Sequence, residues 1–255
     1  MRSSISQIAE DLRRLGLQKG DAVFTHSSMR SLGPVEGGCE AVLQAMEEVV
    51  GADGTLLFPA FSFGVTEPPR VFSYEATPCC VGALPEYFRT RPGTLRSVHP
   101  THSVSAKGLC ARELTRDHIL DATPVGPHSP LALLPKIGGK ILMLGCGMAP
   151  NTSMHGVEEL AEAPYPLSPN AVEYTLDLGN GDIRKVLHRP HAFGSRWIQR
   201  YERLETLLPD TALRRGTVLN ADCFLMDAAA VWDIACRKMR EEPYFFVDDA
   251  EKALK

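Results

Sequence analysis

The chain has 255 residues, 44% of them hydrophobic and 23% charged, which are values of a globular protein with a sizeable core. A formal net charge of −4 supplies no basic field, so nucleic acid is not an expected partner. No run approaches the roughly 18 apolar residues of a membrane helix, and Met1–Gln7 carries no apolar leader segment. Seven cysteines without C-x-x-C spacing argue against a disulfide framework, so a cytoplasmic protein with reduced thiols is expected.

In chain order, Ile5, Ile8, Leu12 and Leu15 stand three and four apart and predict an amphipathic helix ended near Gly16. Asp21–Thr25 is a short apolar strand, Gly37-Gly38 opens a helical run to Val50, and Thr55–Phe58 is a second strand. Strand, helix and strand in so short a span predict a βαβ unit with parallel strands. From Pro59 to Pro100 the chain is irregular, with a helical stretch near Leu84–Arg89. Lys140–Leu144 reads as a buried strand, followed by a loop and a helical segment from His155. Val172–Leu178 and Ile183–His188 flank Asn180-Gly181, a hairpin signal. Two closing helices are expected, one carrying Trp197, Tyr201, Leu204 and Leu208, the other Val231, Ile234, Ala235 and Met239. A single α/β domain over 1–255, with a mixed sheet covered by helices, accounts for this order.

Three segments could carry chemistry. In Asn151–Glu162, Thr152 or Ser153 can cap a helix on which His155, Glu158, Glu159 and Glu162 share a face. A carboxylate one turn from an imidazole can fix its tautomer, and a base titrating near neutrality is what attack by an amine needs. The bland alternative is a solvated acidic helix with an incidental histidine. Thr25–Gly38 places hydroxyl residues, Arg30 and three glycines between a strand and a helix, either a phosphate cradle or a plain turn. His99 and His102 stand three apart, but a metal site needs three or four ligands, and His118, His128 and the acidic residues supply no recognisable remainder. No metal is expected. Gly126–Pro130 reads as a loop without chemistry of its own. Cys146 lies within ten residues of His155, so a thiol-dependent acyltransferase or hydrolase is the competing reading.

Taken together, five ordered segments resemble the aminoglycoside 3-N-acetyltransferase family, the antibiotic acetyltransferases. They are His26–Gly33, Gly54–Pro59, Arg96-Ser97-x-His99-Pro100-x-x-Ser103, Ser129-Pro130, and Thr152-x-x-His155-x-x-Glu158. The resemblance implies a three-layer α/β/α domain and direct acetyl transfer from acetyl-CoA to a small-molecule amine, without a metal. It implies that His26, Ser27, Ser28, Arg30, Ser31, Leu32 and Gly33 hold the CoA phosphates. Ser97, His99 and Ser103 would line the pantetheine or thioester end. His155 would take the proton of the attacking amine, Glu158 would hold His155, and Thr152 or a loop N–H would face the oxyanion. A non-catalytic CoA-binding protein on the same fold is a further alternative, and a homo-oligomer is compatible with all of these. Met148–Asn151 departs from the family pattern, in which an acidic residue that meets the aminoglycoside precedes Thr152, so a biosynthetic amine competes with an aminoglycoside as acceptor.

Overall fold

The computed structural model describes residues 4–253, so Met1–Ser3 at the leading end lie outside the described residues. The first elements are α1 (Ser4–Leu15), β1 (Ala22–Ser27), α2 (Met29–Leu32), α3 (Gly38–Val50), β2 (Thr55–Pro59), β3 (Val71–Ser73) and α4 (Ala83–Thr90). There follow β4 (Leu95–Arg96), β5 (Val104–Gly108), α5 (Ala111–Thr115), α6 (Pro130–Leu133), β6 (Lys140–Leu144) and α7 (Ser153–Leu160). The chain closes with β7 (Val172–Asp177), β8 (Ile183–His188), β9 (Trp197–Gln199), β10 (Leu213–Val218), β11 (Ala221–Asp227), α8 (Ala228–Glu241), β12 (Val247–Asp249) and α9 (Ala250–Ala253).

A seven-stranded mixed sheet runs in the order β10-β11-β6-β1-β2-β5-β4. Its centre is parallel: β1 pairs with β2 and with β6, as the βαβ reading expected. The outer strands are antiparallel. The continuous apolar runs of β1, β2 and β6 follow from burial on both faces. Val23, Leu56, Phe58, Leu142 and Leu144 pack under α1, α3 and α4, while Phe24, Leu57, Ile141 and Met143 pack under α5 to α8. The result is the three-layer α/β/α arrangement. Close packing of α7 on α8 requires Gly156, where a Cβ would lie 2.3 Å from the Trp232 ring.

A second sheet, β3-β7-β8, turns at Asn180-Gly181, both with positive φ, as the hairpin signal requires. One sequence reading needs correction, and one hairpin was not read at all. Trp197 to Leu208 is not an α-helix: Trp197–Gln199 is β9, paired with β12, and Tyr201–Thr206 is a 3-10 helix. The apolar spacing is real, since Tyr201, Leu204 and Leu208 are buried, but spacings of three and four also suit the tighter 3-10 turn. The β10–β11 hairpin had no counterpart in the periodicity. β10 is an edge strand whose centre, Arg214 to Thr217, is mostly exposed, so it lacks an alternating apolar face.

Candidate active site

The carboxyl ends of β1, β2 and β6 open onto a cleft of about 430 Å³, where parallel α/β sheets place ligands. β1 brings His26 and Ser27 to its wall, β2 brings Pro59 and then Phe61, and the loop after β6 brings Cys146 and Pro150. Thr152 and His155 come from the start of α7, Thr101 and His102 from the β4–β5 connection, and Pro190, His191 and Phe193 from the segment after β8. Gly145 lets the β6 loop pass close to α2: its φ is +72°, and a Cβ there would lie 2.9 Å from that of Ser31.

His155 is nearly buried, and the carboxylate of Glu158 accepts from its Nδ1 at 3.1 Å. That contact leaves Nε2 for the cleft. Glu158 is fully buried, so its charge must be compensated. Tyr165 donates to Oε1 at 2.9 Å and Tyr201 to Oε2 at 2.9 Å, and the Tyr201 hydroxyl also lies 2.9 Å from His155 Nδ1. Burial first, and then the Glu158 charge, raise the phenol pKa of both tyrosines, so they stay protonated donors. The bland reading of this helix as a solvated acidic face does not hold for Glu158. It does hold for Glu162, which lies beyond α7, exposed and with φ of 53°.

Glu159, one residue on, accepts from the Val125 N–H at 3.0 Å, and His191 Nε2 lies 2.9 Å from the same oxygen. Thr152 is the N-cap residue of α7, with its hydroxyl 3.1 Å from His26 Nε2 rather than capping the helix. His26 is held neutral, its pKa lowered to about 3 by burial and then by His155. The Cys146 thiol is pushed up to about 12, chiefly by burial.

Of the residues singled out in the sequence, His26, Ser27, Thr152 and His155 line the cleft, and Glu158 stands behind His155. Ser28, Arg30, Ser31, Leu32 and Gly33 continue from β1 as one helical turn, in which Ser31 donates to Ser28 at 2.9 Å and Arg30 is exposed. Leu32 points into the core beneath α1 and α3, so its side chain is not available to a ligand. Ser97, His99 and Ser103 are likewise buried away from the cleft wall. Ser97 accepts from Val104 N–H and pairs with His118, His99 Nδ1 accepts from two backbone N–H groups, and Ser103 accepts from Arg96. These are struts of the β4–β5 connection. Its neighbours Thr101 and His102 reach the cleft instead.

Tyr165, Tyr201 and His191 escaped the sequence reading. Tyr201 was absorbed into an apolar stripe, although a buried tyrosine hydroxyl signals a polar partner. His191 arrives from the segment after β8, and no spacing relates it to His155.

Residues 24–240 match the family model described as aminoglycoside 3-N-acetyltransferase. The aminoglycoside N(3)-acetyltransferase VII of Streptomyces paromomycinus is 34% identical, over 93% of this chain and 91% of that protein. The corresponding enzyme IX of Micromonospora chalcea is 33% identical, over 90% and 91%. Among solved structures, AAC-IIIb in a binary complex with CoASH superposes with a TM-score of 0.81 at 29% identity, covering 94% of this chain and 97% of that one. A mutant of aminoglycoside acetyltransferase AAC(3)-IVa in complex with a gentamicin gives 0.85 at 25% identity, covering 99% and 94%. The chain therefore belongs to the aminoglycoside 3-N-acetyltransferase family, and it is an acyltransferase whose acetyl donor is acetyl-CoA.

Proposed function

We propose that the chain, working as one domain, transfers acetyl from acetyl-CoA directly to a primary amine, with His155 as general base. The observation that carries this reading is the His155 Nδ1–Glu158 contact, with Glu158 anchored by two tyrosine hydroxyls. The contact keeps the proton on Nδ1 and leaves the Nε2 lone pair toward the cleft. As the amine attacks the thioester carbonyl, Nε2 takes its proton and Glu158 stabilises the imidazolium. The C–S bond then breaks, and the proton passes from His155 to the departing CoA thiolate. Thr152 and the first N–H groups of α7 form the positively polarised wall nearest His155, the position suited to the carbonyl oxygen. The transfer needs no metal. His26 and Ser27, with the turn that follows them, form the wall at which the donor would enter.

The acceptor is an amine with fewer ammonium groups than a typical 2-deoxystreptamine aminoglycoside. Relatives carry aminoglycoside names, and such polycations are held largely by charge-assisted contacts to carboxylates. Among the described residues no aspartate or glutamate lines the cleft, whereas Phe61, Phe63, Phe193 and three prolines do. Glu159 is engaged by His191 and Val125, and Met148–Asn151 contributes none. The test follows free thiol release with kanamycin, gentamicin and neomycin beside mono- and diamines carrying an apolar or aromatic body. The expected result is preference for the latter. A kcat/KM of about 10⁴ M⁻¹s⁻¹ or more with the antibiotics would overturn this acceptor class.

A further inference from the structure

The geometry points to a zinc-type divalent metal site formed by His102, His155 and His191, whose occupation silences the catalytic base. The three rings come from the β4–β5 connection, from α7 and from the segment after β8, and one nitrogen of each lies within 4.8 Å of the others'. Their ring centroids are 4.5 Å apart for His155 and His191, 4.8 Å for His102 and His191, and 6.0 Å for His102 and His155.

Each ring has one nitrogen engaged by a side chain outside the cluster. His155 Nδ1 meets Glu158 at 3.1 Å, His191 Nε2 meets Glu159 at 2.9 Å, and His102 Nδ1 meets the Thr101 hydroxyl at 2.8 Å. A carboxylate or hydroxyl behind the imidazole is the outer arrangement that fixes the tautomer of metal-bound histidines. It leaves Nε2 of His155, Nδ1 of His191 and Nε2 of His102 as inward donors. Three imidazoles at the wall of an open cleft supply three ligands and leave a fourth position free, which suits Zn²⁺. Bonds of about 2.0–2.1 Å require donors about 3.4 Å apart in a tetrahedron. Ring rotation must therefore draw the cluster together, with His102 moving most.

Metal and catalysis exclude one another here. A lone pair of His155 bound to zinc cannot accept the proton of an attacking amine, so the ion acts as an inhibitor and not as a cofactor. The inhibitory consequence rests on the base role proposed above, whereas binding rests on the cluster alone.

The experiment titrates metal-stripped protein with Zn²⁺ by calorimetry and with Co²⁺ by visible absorption, and follows acetyl transfer in parallel. One ion per chain is expected, with tetrahedral cobalt bands and turnover that falls with occupancy and returns on chelation. His102→Ala and His191→Ala, each checked for folding by circular dichroism, should lose binding. Glu159→Gln should weaken it by about 10–100-fold, and His128→Ala, at a half-exposed site paired with Asp121, should leave it unchanged. Unchanged affinity in both ligand variants, or no stoichiometric uptake, overturns the site. Failure of the base assignment would show separately, as His155→Ala protein that keeps its turnover while zinc binding weakens.

Discussion

Two polar stretches of this chain carry histidines among hydroxyl residues, and the fold turns them in opposite directions. On α7, His155 gives Nδ1 to Glu158 and keeps Nε2 for the cleft. On the β4–β5 connection, His99 uses Nδ1 to accept two backbone N–H groups, and its Nε2 is buried with no partner. Ser97 and Ser103 beside it are spent in the same way, on Val104, His118, Arg96 and the Ala60 carbonyl. The difference is one of direction. A histidine serves chemistry when its second nitrogen faces solvent or ligand, and serves architecture when both face protein.

The largest effect that could break this contrast is on α7. His155→Ala should lower turnover by about 10²–10⁴-fold, the usual contribution of a positioned base, with acetyl-CoA affinity and melting temperature little changed. Steady-state kinetics and calorimetry check it, and near-normal turnover at neutral pH would place the two stretches in the same class.

The mirror experiment is at the end of β4 and on the β4–β5 connection. Arg96 donates to Ser103, to Ala60 O at 2.9 Å, to Tyr74 O at 3.1 Å and to Thr77 O at 2.7 Å, with its guanidinium over the Phe72 ring. Arg96→Ala removes four hydrogen bonds and the contact with the Phe72 ring from a buried side chain and should cost about 3 kcal/mol or more, while Ser97→Ala should cost about 1–3 kcal/mol. Urea unfolding measures both. Ser97→Ala should keep kcat per folded molecule, so a selective loss of kcat would return Ser97 to the site.

Acid sharpens the comparison further. Burial is the first cause that lowers the pKa of His118 to about 3 and of His188 to about 4, and it holds His99 well below its ordinary value. In the unfolded chain these groups titrate near 6.5. The unfolded state therefore binds more protons below that pH, and stability falls as pH drops from about 6.5 towards the folded pKa values. Each histidine contributes up to about 1.4 kcal/mol per pH unit in that window. Unfolding free energies at pH 7.5 and 5.5 that agree within error would show that these rings are not buried neutral struts.

Much of this was legible in the sequence, and the reasons for the rest are physical. The central strands announced themselves because burial on both faces forces continuous apolar runs, and the helix carrying His155 and Glu158 because i and i+3 share a face. The family resemblance drew on these and on the Arg96–Ser103 and Ser129-Pro130 segments. The inward packing of Ser97, His99 and Ser103 was not legible, because a hydroxyl or imidazole reads identically whether it meets a ligand or a backbone N–H. Tyr201 and His191 stayed hidden because their partners are 43 and 32 residues distant. Contacts of that range are set by where the segment after β8 and the 3-10 turn meet α7, which no local period encodes.

The smallest expected effect concerns Cys146, and it tests whether position in the cleft is sufficient for chemistry. Its side chain lines the same wall as His155, so a thiol route is sterically conceivable. Reactivity, however, belongs to the thiolate, and burial pushes this thiol up to about 12. At neutral pH almost none of it is ionised, and His155 is already committed through Nδ1 to Glu158, not to sulfur. Cys146→Ser should therefore change kcat by less than about threefold, against the roughly 10²-fold or more expected of a lost catalytic group. A direct route needs both substrates bound together, so initial-rate plots at several acceptor concentrations should intersect. An acyl-cysteine route would give parallel lines, and an enzyme heavier by one acetyl group after incubation with acetyl-CoA alone. Either result, joined to inactivity of Cys146→Ser, would move the nucleophile from the acceptor amine to the protein and recast His155 as the base for sulfur.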